Sequence, residues 1–241
     1  MKKLQLIAMD SITSKAVNHI REKVVTKECI KFSELKSIFN PIQKQVILTS
    51  ELTAEIIQYI GMFFQNKKTA ILLFNNDFMK KADKETIKYL LESNCIPIPV
   101  PIQNRQMDIT LSSTFYEYLE NVINILNIDN REENIKVSEK EFNQLFHKKG
   151  LCYLYVMTDS SIENVVRQLH HRNEFLLNAS NSLLLTFFVP IETPLIQIVK
   201  CVELFESFIP LETDYIFQLS TYENEKESIK ISLLNCVNNQ I

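Results

Sequence analysis

The stretches Leu151-Cys-Tyr-Leu-Tyr-Val-Met157 and Ser182-Leu-Leu-Leu-Thr-Phe-Phe-Val189 decide how this chain is read. Both are apolar runs of strand length, and the text between them, Ile162–Leu177, reads as a helix. Alternation of such runs with helical periodicity marks sheets covered by helices, an α/β protein. Outward from this unit, Glu139–His147 reads as a preceding helix and Pro194–Phe208 as a following one, with Asp214–Ser220 and Ser228–Val237 as closing strands. Proline is tolerated in a first helical turn, so Thr193 is the expected N-cap; Leu195, Ile198, Val199, Val202, Phe205 and Ile209 follow the helical period. The expected product is a sheet with helices on one side.

The first half repeats the alternation. Leu4–Met9, Gln45–Leu48, Ala70–Phe74 and Ile96–Val100 read as strands; the stretch holding Ala16, Val17, Ile20 and Val24, then Thr53–Phe64 and Asp83–Glu92, read as helices. Pro97, Pro99 and Pro101 confine the last of these strands to a sheet edge or to its first residues, because proline cannot donate to a ladder. Thr110–Leu126 carries Phe115, Tyr118, Leu119, Val122, Ile123 and Leu126 on one face and is the expected helix between two domains. The polar run Asn127–Asn134 marks the boundary. The division is therefore 1–109, a connecting helix and linker over 110–134, and 135–241.

Composition sets limits on chemistry. The 241 residues hold 2 glycines and no tryptophan. An average chain of this length has about 17 glycines at ~7% usage, so loops that bring backbone close to phosphate are scarce. With glycine only at Gly61 and Gly150, the glycine-rich nucleotide motifs and the G-x-S-x-G elbow are excluded. The 26 basic and 29 acidic residues are mixed, leaving net charge −3 and no basic stripe of the kind nucleic-acid binding requires. No apolar run approaches the roughly 20 residues of a membrane span, and Asp10 interrupts the N-terminal run too early for a signal peptide, so a cytoplasmic protein is expected. Cys29, Cys95, Cys152, Cys201 and Cys236 are odd in number and widely spaced, and are expected as reduced core thiols. His19, His147, His170 and His171 lie on expected helices; His170-His171 reads as a solvated face, and adjacent histidines cannot form an i, i+4 metal pair, so no metal is expected.

The order and spacing from Lys136 to Val237 resemble the C-terminal domain of FtsZ, the bacterial relative of tubulin. The matching text is Phe142-Asn-Gln-Leu-Phe-His-Lys-Lys-Gly150, Leu151–Met157, Ser161–Leu177, Ser182–Val189, Leu195–Phe208, Asp214–Ser220 and Ile229–Val237. In the first half, Ala16, Val17 and Asn18 agree with the family's Asn-Ala-Val-Asn, while the tubulin-superfamily glycine-rich signature is missing and a middle segment is shortened between Ile102 and Tyr116. The resemblance implies a Rossmann-like N-terminal domain joined by a central helix to an α+β domain with a mixed sheet.

It also implies where chemistry has been lost. The family's phosphate loops fall on Asp10-Ser-Ile-Thr-Ser14 and Asn76-Asp-Phe-Met-Lys-Lys-Ala-Asp83. Ser11, Thr13, Ser14 and Lys15 are the vestigial phosphate-loop positions, with one of Ser11, Thr13 or Ser14 expected as the N-cap of the next helix. The family's two catalytic carboxylates fall on Ser138 and Glu141, which read as a capping box. The resemblance thus implies a non-hydrolysing pseudo-GTPase without a cofactor. It would act through protein contacts with FtsZ or copies of itself, in a bacterial cytoskeletal or cell-division role. The chain ends at Ile241 without the family's terminal peptide, so recruitment through membrane-tethering adaptors is not expected. Two alternatives stand beside it: a divergent nucleotide-binding protein with weak GTPase activity, using a pocket near Asp10–Lys15 and Asn75–Asp77, or an unrelated α/β interaction module.

Overall fold

A computed structural model describes residues 4–20, 26–29, 44–64, 70–93, 95–101, 108–126, 134–146, 150–223 and 229–237. It divides into two compact units, 1–122 with 241 and 123–240. The cut falls inside one long helix. The linker text 127–133 and the first part of the shortened segment, 102–107, lie outside the described residues.

The first unit runs β1 (Leu4–Ala8), α1 (Ser11–His19), β2 (Thr26–Cys29), β3 (Lys44–Thr49), α2 (Ala54–Phe64), β4 (Ala70–Asn75), a 3₁₀ turn (Asn76–Lys80), α3 (Lys84–Glu92) and β5 (Cys95–Val100). Its five strands are all parallel in the order β2-β1-β3-β4-β5. The strands β1, β4 and β5 are apolar almost throughout because both faces of a parallel sheet are covered, and β1 and β5 are buried at every position. The short strand β2, Thr-Lys-Glu-Cys, escapes a hydrophobicity reading because it is polar, and only pairing with Gln5–Ala8 makes it a strand.

Strand β5 lies at the sheet edge, one of the two placements its prolines allow. Successive residues of a strand turn their N–H and C=O to alternate sides. With Pro97 and Pro99 at every second position opposite Leu72 and Phe74, one side of β5 keeps only the Cys95 N–H as a donor, while Ile96, Ile98 and Val100 turn theirs to β4. An edge so poor in donors is a weak template for another strand.

Helix α4 (Asp108–Leu126) follows, and in it Phe115, Leu119, Val122, Ile123 and Leu126 are buried as the apolar face requires. Burial, with Glu117 alongside, pushes the Tyr118 hydroxyl up to about 12.

The second unit continues with α5 (Glu139–Phe146), β6 (Leu151–Asp159), α6 (Ile162–Asn178), β7 (Ser180–Pro190), α7 (Leu195–Glu206), β8 (Asp214–Tyr222) and β9 (Ile229–Val237). Its mixed sheet has the order β6-β9-β7-β8, parallel only between β7 and β8. Gly150, at φ 133°, takes a backbone geometry open to glycine as the chain enters β6. On one face Leu183, Leu185, Phe187, Val189, Ile231 and Leu233 pack with Val165, Val166 and Leu169 of α6 and Ile198, Val202 and Phe205 of α7.

Sheet coverage differs from the one-sided expectation. The opposite face is buried too: Cys152, Leu184, Ser232, Leu234 and Cys236 are all inaccessible, and Gln218 on that face donates to the Ile125 carbonyl of α4 at 3.2 Å. The sequence hides this because Ser182, Thr186, Gln218 and Ser232 make the face look polar. Gln218 also donates to Thr186 Oγ1 at 3.0 Å, giving two of these groups buried partners.

Three local expectations are corrected. Pro194, not Thr193, is the N-cap of α7, and no side chain caps that end. The buried side of α7 is Ile198, Cys201, Val202 and Phe205, leaving Leu195 and Val199 exposed. His170 is no solvated residue; it stacks on Phe208 at 4.1 Å between ring centroids. The thiols of Cys95, Cys152, Cys201 and Cys236 are free and buried as expected, whereas the side chain of Cys29 and the residue His147 lie outside the described residues.

Candidate functional site

In the first unit the chain leaves β1 toward β2 on one side, then crosses to β3 on the other, so the strand order reverses between β1 and β3. In open parallel sheets the crevice beyond the strand C-termini at such a switch point is where ligands bind, with phosphates seated on a helix N-terminus. Here that helix is α1, and the residues at the mouth are Asp10, directly before α1, and Ser50, directly after β3.

The side chain of Asp10 bridges the two strand ends at this mouth. Its Oδ1 accepts from the backbone N–H groups of Ile12 at 3.0 Å and Thr13 at 2.9 Å, and its Oδ2 from the N–H of Ser50 at 2.6 Å. A carboxylate therefore occupies the donors that an incoming anion would use. The Thr13 hydroxyl, fully buried, closes the turn by accepting from Asp10 N at 3.3 Å and contacting its carbonyl at 3.2 Å. Met9 N donates to Leu48 O at 2.9 Å, tying the same two strand ends together.

Of the four vestigial phosphate-loop positions, Thr13 belongs to this closure, Ser11 and Lys15 are exposed, and Ser14 is half-buried with its backbone N–H on Asp10 O. None of Ser11, Thr13 or Ser14 is the N-cap; Asp10 is. A carboxylate has two oxygens, so it can serve the helix start and Ser50 together, which a hydroxyl cannot.

The second loop is closed in the same manner. Asn75 Oδ1 accepts from Asp77 N at 2.9 Å, Asp77 holds Lys80 at 2.8 Å, and Phe78 sets its ring edge-on to Phe74 at 6.1 Å. Asp83 then caps α3 through Thr86 N at 2.7 Å, a bond that holds its carboxyl below the usual range. Asn75–Asp83 is thus a compact 3₁₀ turn and helix start, where the family resemblance places a glycine loop.

In the second unit, Ser138 and Glu141 form the capping box that their spacing predicts. Ser138 N donates to Glu141 Oε2 at 2.8 Å, and Glu141 N donates to Ser138 Oγ at 3.2 Å. These bonds lower the pKa of the exposed Glu141 carboxyl.

The same unit carries an apolar surface. Leu195 and Ile196 are 57% and 61% exposed, and Ile191 and Val199 accompany them on the outer side of α7 and its entry turn. Ile191 N binds Tyr222 O and Ile135 pairs with Leu219, which brings the exposed Ile135 to the same end of β7 and β8. Apolar clusters of this kind mark interaction surfaces. Neither this patch nor the Asp10–Ser50 contact is visible in sequence. The Asp10-x-x-Thr13 spacing is a local capping signal, but nothing local points to Ser50, forty residues away.

Among the described residues no cluster of metal-ligating side chains occurs, and no helix is long and apolar enough to cross a membrane. No protein-family profile matches the chain, and no curated protein matches it in sequence. In three dimensions it is similar to CetZ from Methanosaeta thermophila, at TM-score 0.65 and 10% identity over 98% of this chain and 87% of that one. It is also similar to FtsZ from M. jannaschii in an empty dimer, at TM-score 0.63 and 9% identity over 100% and 89%. TubZ from Bacillus thuringiensis in GDP-form protofilaments matches at TM-score 0.56 and 10% identity over 98% and 86%. With a five-stranded parallel unit, a long joining helix and a mixed-sheet unit, the chain has the FtsZ/tubulin-like fold.

Proposed function

We propose that this is a non-hydrolysing FtsZ/tubulin-like protein that works through protein–protein contacts, assembling with copies of itself or modulating a cytoskeletal or cell-division filament. The observation that carries this reading is the Asp10 carboxylate seated on Ile12 N, Thr13 N and Ser50 N. A nucleotide phosphate would have to displace a bound carboxylate and then lie beside it, and the like charges repel. The capping role of Glu141 supports the same reading, since its carboxylate is already engaged with Ser138.

The exposed Ile191, Leu195, Ile196 and Val199 supply the contact surface, and a second copy is the proposed occupant. Among the similar structures, TubZ is described in protofilaments and in a two-stranded filament. Titration of the protein into a fluorescent GTP analogue with magnesium tests the first part: no saturable rise in anisotropy is expected up to high micromolar protein. Saturable binding would replace this reading with that of a divergent nucleotide-binding protein. Sedimentation across a concentration series tests the second: association is expected, and Ile196→Glu should abolish it while leaving the circular dichroism spectrum unchanged.

A further inference from the structure

Cys152 and Cys236 are 84 positions apart, yet they are directly opposed on β6 and β9, the first and last strands of the second unit. Both are fully buried and free, and Cys236 is the neighbouring thiol of Cys152.

The sheet geometry fixes what kind of opposition this is. Ile135 exchanges both backbone hydrogen bonds with Leu219, so the N–H and C=O of Leu219 turn away from β7. Alternation then turns Gln218 toward β7 and Thr186, its register partner, toward β9. Thr186 and Ser232 are consequently a hydrogen-bonded pair, and on the far side of β9 the hydrogen-bonded pairs are Tyr155 with Leu233 and Tyr153 with Asn235. Cys152 and Cys236 lie one position beyond Tyr153 and Asn235, so by alternation they form a non-hydrogen-bonded pair. In such pairs the Cα atoms lie about 4.5 Å apart, inside the roughly 4.4–6.8 Å that a disulfide spans.

We propose that Cys152 and Cys236 are a thiol–disulfide site, and that a peroxide oxidant converts them to a cross-strand disulfide that locks β6 onto β9. One thiolate attacks the O–O bond of peroxide, forming a sulfenic acid and releasing water once protonated. The second sulfur displaces the sulfenic oxygen as a second water, forming the S–S bond. Two thiols lose two protons and two electrons, and one hydrogen peroxide becomes two waters.

Burial and the neighbouring thiol raise the Cys152 pKa well above the ordinary thiol value, so little thiolate exists while the sheet is closed. Reaction therefore waits on opening of β6, which as an edge strand has β9 alone beside it among the described residues. Once formed, the bond closes a long loop and resists reopening. The site is a slow latch and not a fast sensor.

The test is exposure of the native protein to hydrogen peroxide, with peptide mapping under non-reducing conditions. A Cys152–Cys236 crosslink is expected, reversed by dithiothreitol, formed several-fold faster in sub-denaturing urea, and accompanied by a rise of several degrees in the unfolding temperature of the second unit. Cys236→Ala and Cys152→Ser should each abolish the crosslink, and the wild-type map is decisive if either fails to fold. Recovery of both thiols unmodified after oxidation, over-oxidation of Cys152 to sulfinic acid, or a crosslink between other cysteines would overturn the proposal.

Discussion

Helices α1 and α5 both begin with a capping box, yet the two starts differ in reach. At α5 the box is local and exposed: Ser138 and Glu141 serve only each other's backbone. At α1 the capping side chain also crosses to another strand, because Asp10 Oδ2 takes the N–H of Ser50 beyond β3. The same motif starts a helix locally in one unit and ties a helix start to a second strand in the other. Where the carboxylate sits relative to the sheet, and not the motif, separates the two.

The largest expected effect comes from breaking the long-range start. Asp10→Ala leaves three N–H groups without their acceptor and should lower unfolding stability by about 2–3 kcal/mol, read as a shift of the first-unit transition in urea. Asp10→Asn, which keeps one acceptor oxygen, should recover part of that loss; equal losses for both substitutions would mean that the second oxygen on Ser50 contributes nothing.

A smaller effect is expected at the local start. Ser138→Ala should cost about 1 kcal/mol in the second-unit transition, the value of an ordinary exposed cap. If it matched Asp10→Ala, the contrast between the two starts would collapse.

The smallest effect is a pH dependence. The Glu141, Asp83 and Asp159 carboxyls have pKa values held down in the folded protein by hydrogen bonds from Ser138, Thr86 and Ser161. A depressed folded pKa means that the unfolded chain binds more protons at acid pH, so these groups stabilise the fold above the ordinary carboxylate range. That stability disappears as pH falls through the folded values. The urea midpoint should therefore drop below about pH 4, and Glu141→Gln should flatten the second-unit part of the drop.

Much of the fold was legible because its signals are local. The runs Ala70–Phe74 and Leu183–Val189 are apolar runs of strand length, and the prolines of Cys95–Val100 allowed an edge or the first residues of a strand, of which the sheet takes the edge. The exceptions have one cause. Strand β2 is polar and exists by pairing with β1, and the second face of the mixed sheet is buried although half of its side chains are polar. In each case neighbours distant in the chain supply what the local text lacks. Half of the candidate site was legible in the same sense: Ser138-x-x-Glu141 is a motif, whereas Ser11, Thr13 and Ser14 beside Asp10 are equally acceptable local caps, and only the Ser50 N–H singles out the carboxylate.

The sequence by itself determined the alternation of strands and helices, the restriction that prolines place on β5 and the scarcity of glycine, all consequences of backbone and side-chain properties acting within a few residues. Only the tertiary structure decided that the Asp10 carboxylate reaches the N–H of Ser50 beyond β3, that Leu195 and Val199 face outward, and that Cys152 is opposed to Cys236. Those outcomes depend on which distant groups a sheet brings within hydrogen-bonding or van der Waals reach, and chain spacing does not encode that distance.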